Sequence, residues 1–420
     1  MLTILAHPAG ALAPAGILSG TISDATPNAE QLRRGQYLVA AGDCLSCHTR
    51  AGGEALAGGL ALSTPFGLIY TANLTPDKQT GIGSWTEQQF YRAMHEGVDD
   101  QGINLYPAFP YPWFQLTSRA DDDAIFAFLK STPPVAYTPP ADALPFPMNF
   151  RIVVKVWNLL FLDTAAFRAD SSQSAEWNRG AYLVNGLGHC GDCHTPKNFL
   201  GGDKSHQAFH GARLGDWVAP DLTSNERTGL GSWSVNEVAE YLQNGRNVHA
   251  GAGGPMAEVI TYSTSLLTDA DRHAIAVYLK SQVAAPSTAS GAPDIGTMRR
   301  GAAIYVDACS SCHLDDGVGQ PRVFPPLGRN AMVQQGDATA VEHVILAGSR
   351  IGTSALRTTP LTMPSFAWKL SDADIAAVST YIRNSWGNQA AAVTAAEVHD
   401  LRKALHLDAD RLTANSGDRL

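Results

Sequence analysis

The six cysteines of this 420-residue chain fall into three copies of one short pattern. In each copy two residues separate a pair of cysteines, and a histidine follows the second cysteine. The copies are Cys44-Leu-Ser-Cys47-His48, Cys190-Gly-Asp-Cys193-His194 and Cys309-Ser-Ser-Cys312-His313. Such a pattern can hold haem covalently, because the two thiols add to the haem vinyl groups and the adjacent imidazole binds the iron. The sequence therefore predicts three covalent c-type haems, attached by the six cysteines, with His48, His194 and His313 as iron ligands.

Paired cysteines also occur in structural zinc sites, which are the main alternative. Zinc sites usually join two such pairs about 15 to 20 residues apart. Here the pairs lie more than a hundred residues apart, and each pair has its own histidine. A thioredoxin-like redox centre would require a βαβ context, which the sequence lacks. Covalent haem is therefore the interpretation that the spacing favours.

The charge and the hydropathy pattern exclude other classes of protein. The net charge is -9 and no run of Lys or Arg occurs, so nucleic acid is not an expected partner. No uninterrupted apolar run reaches 18 residues, so no segment is predicted to span a membrane. Residues 1–29 are apolar, but the first basic residue is Arg33; this segment is either a weak export signal or an Ala/Pro/Gly-rich tail.

Three further features repeat along the chain. Similar helix-compatible stretches, RGQYL at 34–38, RGAYL at 179–183 and RGAAI at 300–304, precede the three motifs. The first two copies share a Gly-Ser-Trp segment, after which Thr86 or Ser234 is expected to cap a helix, over 87–96 or 236–244. Closing amphipathic helices are predicted to begin at Thr117, Thr268 and Ser371. The expected fold is all-α, with three tandem cytochrome c domains.

The repeats and the proline-rich stretches divide the chain into segments. The predicted order is an N-terminal segment over 1–29, domain 1 over 30–132, a linker with an apolar docking segment over 133–175, domain 2 over 176–283, a linker over 284–296, domain 3 over 297–388 and an amphipathic tail over 389–420.

Two of these segments have alternative interpretations. The stretch RIVVKVWNLLF at 151–161 is too short to cross a bilayer; it is either a docking or interfacial helix or an ordinary helix packed between domains. The tail has an apolar stripe at Val393, Val398, Leu401, Leu405 and Leu412. It either docks a partner or covers the third domain.

Methionines in the loops before the closing helices are candidates for the second axial iron ligand. Met363 stands eight residues before Ser371, and Met256 lies in the corresponding loop of the second repeat. In the first repeat this slot holds Phe109, which cannot bind iron. The sixth ligand of the first haem is therefore Met94 or Met148, or the position is open; His95 is a further candidate.

Four stretches, RGAYLVNGLGHCGDCHTP, TGLGSWS, LYPAFPYPWF and SDADIAAVSTYIRNSWGN, resemble the cytochrome c subunits of bacterial membrane-bound dehydrogenases. The resemblance covers roughly residues 30–390. It implies an electron-transfer subunit, not an enzyme, at the periplasmic face of the cytoplasmic membrane. Electrons would pass from a large catalytic dehydrogenase subunit, with or without a small iron–sulfur subunit, to ubiquinone. The family's Met ligand carries over to Met256 and Met363.

Members of this family serve alcohol, gluconate, sorbitol, fructose, glucose and molybdenum-dependent aldehyde dehydrogenases. The AFPYPWF variant resembles cytochromes that accompany molybdenum hydroxylases, which favours an aldehyde-oxidising partner over an alcohol- or sugar-oxidising one. Two other classes remain open: a multi-haem enzyme that uses an open iron at the first haem, and a free-standing electron shuttle.

Overall fold

The computed structural model describes residues 3–4 and 16–407, and most of its regular structure is helical. The helices are α1 (Gly16–Ser19), α2 (Ala29–Ala41), α3 (Cys44–Cys47), α4 (Glu87–Glu96), α5 (Tyr111–Phe114), α6 (Arg119–Ser131), α7 (Ile152–Phe161), α8 (Ala175–Asn185), α9 (Cys190–His194), α10 (Val235–Asn244), α11 (Pro255–Tyr262), α12 (Asp269–Lys280), α13 (Ile295–Ala308), α14 (Ser310–His313), α15 (Thr339–Ala347), α16 (Asp372–Arg383) and α17 (Ala395–Ala404). Two 3₁₀ turns cover Ser205–Gln207 and Thr264–Leu266.

Short antiparallel strands are also present, the first before α1 and the others in loops between helices, a difference from the purely helical expectation. They are β1 (Thr3–Ile4), β2 (Ala61–Thr64), β3 (Gly67–Tyr70), β4 (Ala212–Leu214), β5 (Trp217–Ala219), β6 (Ser349–Arg350) and β7 (Thr362–Met363). β1, β2 and β3 form one sheet in that order, β4 pairs with β5, and β6 pairs with β7. Runs of two to four residues are too short for alternating hydropathy to reveal them, which is why the sequence did not predict them.

One kind of helix crossing occurs three times. The helix before each motif meets a closing helix: α2 meets α6, α8 meets α12 and α13 meets α16, each at a glycine. A Cβ on Gly35, Gly180 or Gly301 would collide with a backbone carbonyl of the facing helix. The facing residues are Ala124, Ala274 and Ala377. Glycine is required here because it lets the two backbones approach more closely than any side chain allows.

Two polar contacts recur with the same crossings. An arginine directly before the glycine bonds an aspartate in the first turn of the closing helix; the pairs are Arg34 with Asp121, Arg179 with Asp271 and Arg300 with Asp374. A basic residue nine positions after that aspartate donates to loop carbonyls. Lys130 donates to the Ile82 carbonyl, Lys280 to those of Leu230 and Gly231, and Arg383 to those of Val333 and Gln335.

The predicted helix ends agree with the structure to within two residues. Thr86 and Ser234 each form a capping box, and Gly97 and Gly245 end the two helices in left-handed conformation. The second of these helices begins at Val235 and not at 236. In the first repeat Ser118, rather than Thr117, caps the closing helix. Thr117 is buried, and its hydroxyl bonds Asp122 at 2.6 Å, so it is not available as the cap.

The chain forms two compact units. The first takes in Met1–His206 and Glu258–Tyr278, and it contains the first and second cysteine motifs. The second takes in Gln207–Ala257 and Leu279–Leu420, and it contains the third motif. Residues 1–2 and 5–15 of the proposed export segment lie outside the described residues, as does Leu412 of the tail.

The described part of the tail packs on the third repeat. Val398 and Leu401 of α17 are buried in the same core cluster as Leu346, Ile375 and Val378. The guanidinium of Arg402 donates to backbone carbonyls at both Ala367 and Leu370. Of the two interpretations of the tail, the structure therefore favours the one in which it covers the third domain.

Helix α7 is anchored on one side and exposes apolar side chains on the other. Val154 is buried, and the indole nitrogen of Trp157 donates to the Leu200 carbonyl at 2.9 Å. Ile152, Val156, Leu159 and Leu160 are exposed, and Leu159 retains 85% of its accessible surface. No helix within the described ranges is both long and apolar enough to cross a membrane.

Candidate haem sites

Each motif is built on a single helical turn. Cys44 and Cys47 are the first and last residues of α3, and the His48 amide donates to the Cys44 carbonyl at 3.0 Å. The third motif has the same hydrogen bond, from the His313 amide to the Cys309 carbonyl at 3.0 Å. Residues three apart on a helix lie on one side, so each turn presents two thiols together with the histidine that follows.

Backbone carbonyls orient the histidines of the first and third motifs. The Nδ1 atom of His48 lies 2.7 Å from the Ala72 carbonyl oxygen, and that of His313 lies 3.0 Å from the Pro325 carbonyl oxygen. A carbonyl can only accept, so Nδ1 carries the proton and Nε2 has the lone pair that a metal needs. Burial lowers the pKa of both imidazoles, which keeps them neutral and able to bind iron.

The environment of the sulfurs also suits haem attachment. None of the six cysteines, all of which lie in the described ranges, is disulfide-bonded. Burial raises the pKa of Cys44 and Cys190 to about 12 and that of Cys309 to about 11. Burial thus disfavours a thiolate, whereas a thioether bears no charge and has no such cost. The residues therefore fit a covalently attached haem.

In the third repeat, a cysteine and the candidate methionine pack on one core. Cys309 and Met363 both lie against the cluster formed by Tyr305, Leu346 and their neighbours. Met363 belongs to β7 and pairs with Ser349. Met332, which the sequence did not single out, also lies between this motif and its closing helix. It packs against the separate cluster of Trp217, Val218 and Ala340.

The second repeat divides its candidate ligands between the two compact units. His194 belongs to the first unit, and Met256 belongs to the second. Met256 is the second residue of α11, so it stands in a helix rather than in the loop that the sequence suggested. Just before this helix, Gly254 has a φ of 57°, and the ring of Trp217 fills the space that a Cβ would need. Ligation by Met256 stays a prediction.

The first repeat holds its candidate ligands in different environments. Phe109 packs with its ring centroid 5.4 Å from Phe114. Met94 is buried on α4, as expected for a core residue. The Met148 carbonyl accepts a hydrogen bond from the Tyr106 hydroxyl at 2.6 Å, which brings the linker to the loop that carries Phe109. His95 bonds Asp122 through Nε2 at 2.7 Å, so that nitrogen is already engaged.

Helix α5, which follows this loop, contacts the second motif. The ring of Trp113 fills the space beside Gly191, where a Cβ would meet it. The ring centroid of Phe114 lies 5.4 Å from that of His189, which directly precedes Cys190. The sequence did not predict this contact, because the residues are more than 70 positions apart and no local pattern links them.

Comparisons with known proteins identify the class. The cytochrome c family model matches residues 298–386, which include the third motif. The chain is 38% identical to the gluconate 2-dehydrogenase cytochrome c subunit of Pantoea cypripedii, over 96% of this chain and 95% of that protein. The chain belongs to this family of dehydrogenase cytochrome c subunits. It is therefore an electron-transfer cytochrome with covalent haem c, not a catalytic subunit and not a zinc protein.

Two other relatives are similar to this cytochrome over different shares of their own length. It is 37% identical to the cytochrome c subunit of the quinone-type alcohol dehydrogenase of Gluconobacter oxydans (strain 621H), over 88% of this chain and 82% of that protein. It is 40% identical to one of the subunits of the nicotinate dehydrogenase of Pseudomonas putida, over 85% of this chain but 30% of that larger protein. The predicted family is thus confirmed.

Proposed function

We propose that the cytochrome carries three haems, one in each of three tandem domains, and relays electrons from a catalytic dehydrogenase subunit to membrane ubiquinone. One observation carries the proposal: the glycine crossing, the Arg–Asp pair and the basic residue that binds loop carbonyls recur with each cysteine motif. Three equivalent sets of contacts support domains at 30–132, 176–283 and 297–388, joined by the segments 133–175 and 284–296.

In each domain the two cysteines of the motif would hold the haem, and His48, His194 or His313 would bind its iron. A bound haem supplies one-electron chemistry. The Ala72 and Pro325 carbonyls fix the orientation of His48 and His313. Met256 and Met363 are the proposed second ligands. In the first domain the sixth iron ligand is Met94 or Met148, or the position is open, because Phe109 offers iron no lone pair.

A direct test of the relay is to reduce the purified complex with the substrate of its large subunit. All three haems should become reduced, and they should be reoxidised by a soluble ubiquinone analogue. A cytochrome whose haems stay oxidised while the catalytic subunit turns over would contradict the relay. Reduction that persists when the analogue is added would contradict ubiquinone as the acceptor.

The catalytic partner is proposed by class. Relatives are named as subunits of gluconate, quinone-type alcohol and nicotinate dehydrogenases, so a large dehydrogenase subunit is the expected electron donor. The AFPYPWF stretch at 108–114 resembles cytochromes that accompany molybdenum hydroxylases, which favours an aldehyde-oxidising partner, with or without a small iron–sulfur subunit. Purification of the native complex, identification of its large subunit and cofactor, and an EPR search for iron–sulfur signals would test both parts.

We propose that the cytochrome binds peripherally at the periplasmic face of the membrane and that α7 contributes to this binding. The exposed apolar residues of α7 continue into Phe146 and Phe150, whose rings lie 5.9 Å apart and are also exposed. Between residues 143 and 162 the charged side chains are Lys155 and Arg151, of which Arg151 forms an ion pair with Asp142 at 3.0 Å. An apolar surface with basic residues is typical of an interfacial helix.

Flotation with anionic phospholipid vesicles tests this surface. Replacement of Leu159 and Leu160 by Gln should reduce the vesicle-bound fraction. A control is Leu356→Gln, because Leu356 is also exposed, at 68%, but lies in the other compact unit. Equal flotation of the α7 variant and the wild type would contradict the proposed role of α7.

A further inference from the structure

In each of the first two repeats, a tyrosine forms a hydrogen bond with an aspartate of the other repeat. Tyr182 of the second repeat donates its hydroxyl proton to Asp121 of the first at 2.6 Å. Tyr37 of the first repeat donates in the same way to Asp271 of the second at 2.5 Å. The two tyrosines occupy the same position in their repeats, in RGQYL and RGAYL, and the two aspartates are also equivalent. The contact is therefore reciprocal, as at the interface of a two-fold symmetric dimer.

Each hydroxyl also accepts a hydrogen bond at the start of the closing helix in the other repeat. The Ser118 amide donates to Tyr182 at 2.9 Å, and the Thr268 amide donates to Tyr37 at 3.3 Å. The accepting aspartates are already held by Arg34 and Arg179 within their own repeats. Each carboxylate thus joins a contact within one repeat to a contact between repeats.

The paired region extends from the tyrosines to the cysteine motifs. The Ser263 hydroxyl of the second repeat contacts the Ala41 carbonyl of the first at 3.4 Å. A Cβ on Gly42 would lie 3.4 Å from both Cys44 Sγ and a methyl carbon of Leu187. Together with the packing of Trp113 on Gly191, these contacts bring the first and second motifs close to each other within the first compact unit.

The third repeat has the aspartate but not the tyrosine. Arg300 and Asp374 form the equivalent pair at 2.7 Å. The position of Tyr37 and Tyr182 is occupied by Ala303, which is exposed. The reciprocal contact is thus specific to the first two repeats, although the helix crossing beneath it is common to all three.

We propose that Tyr37 and Tyr182 are positioning residues that lock the first and second haem domains into a pseudo-two-fold pair, and so fix the separation of their haems in the relay. This inference rests on the proposed three-haem function. Burial, followed by the hydrogen bond to an aspartate, raises the pKa of both phenols, so each hydroxyl keeps its proton and remains a donor at neutral pH.

Hydrogen exchange of the full-length holoprotein tests the crossed contacts. Loss of a hydrogen bond to a charged group changes the equilibrium constant for local opening by roughly tenfold or more. Tyr37→Phe should therefore speed exchange roughly tenfold in peptides that contain Thr268, in the second repeat, and Tyr182→Phe in those that contain Ser118, in the first. Tyr278→Phe is the matched control, because that hydroxyl bonds Asn185 within the second repeat. Faster exchange confined to the repeat that carries the substitution would overturn the proposal.

Pulsed EPR of the oxidised protein measures the separation of the first two haems. The variant with both Tyr37→Phe and Tyr182→Phe should show a broader distribution of separations, whereas Tyr278→Phe should match the wild type. An unchanged distribution would overturn the positioning role. If the double variant does not accumulate, the single variants give the same test by exchange and EPR. A haem count below three would instead count against the proposed function.

Discussion

Replacement of Gly301 by Ala tests whether close helix crossings hold the repeats together. An added Cβ would lie 2.6 Å from the Cβ of Tyr381 and 2.8 Å from the carbonyl carbon of Ala377. Ordinary carbon–carbon contacts are about 3.5–4.0 Å, so α13 and α16 must move apart by about 1 Å. Overpacking that displaces backbone costs about 3 kcal/mol at the upper end, while alanine gains about 1 kcal/mol in helix propensity. The expected net loss is about 2 kcal/mol.

The assay is calorimetric unfolding of the full-length holoprotein. A loss of about 2 kcal/mol should lower one transition by roughly 10 °C for a domain of about 100 residues. Gly296→Ala is the matched control in the same helix, because the nearest neighbour of its added Cβ would be a side-chain oxygen of the capping residue Asp294 at 3.0 Å and not a backbone carbonyl of the facing helix. That control should keep or slightly raise the wild-type midpoint. A Gly301→Ala protein as stable as the wild type would refute the role assigned to the crossing.

Three further predictions concern the ligands and the ion pairs. Met363→Ala and Met256→Ala should each lower the potential of one haem, because a thioether ligand raises it; a redox titration in which no component moves would rule out that residue. Phe109→Met should convert an open first haem to low-spin Met/His ligation and raise its potential, whereas a wild type without a high-spin fraction or cyanide binding would exclude the open state. Burial acts to raise the pKa of Asp271, but hydrogen bonds from Arg179 and Tyr37 outweigh it and leave the pKa lowered. Its contribution to stability is therefore present above the unfolded pKa of about 3.9 and lost as the pH falls through the folded pKa, so the melting temperature of the wild type should fall more steeply than that of Asp271→Asn below about pH 4.

Local signals made the helices and motifs predictable. Thr86 and Ser234 cap helices because each has a hydrogen-bonding partner three residues later, and Gly97 and Gly245 end them because a left-handed conformation favours glycine. The choice between Thr117 and Ser118 depends on burial, which two adjacent hydroxyl residues do not reveal. The amphipathic stripe of the tail likewise shows that Val398 and Leu401 need a surface, but not whose surface it is.

Contacts between residues that are distant in the chain could not be predicted from the sequence. Tyr37 and Asp271 are 234 positions apart, and no periodicity connects them. The carbonyls of Ala72 and Pro325 carry no side-chain signature, so their hydrogen bonds to His48 and His313 become visible only in the fold. The outward face of α7 was ambiguous for a related reason: hydropathy identifies an apolar helix but not which side packs on the rest of the protein.

The number of covalent haems is the most direct test of the central claim. Intact-mass spectrometry of the mature protein should give the polypeptide mass plus three haem groups. Replacement of both Cys190 and Cys193 by Ala should remove one haem and leave two, because the other two motifs are independent attachment sites. A wild-type mass with fewer than three haems, or an unchanged haem count in the double variant, would contradict the account.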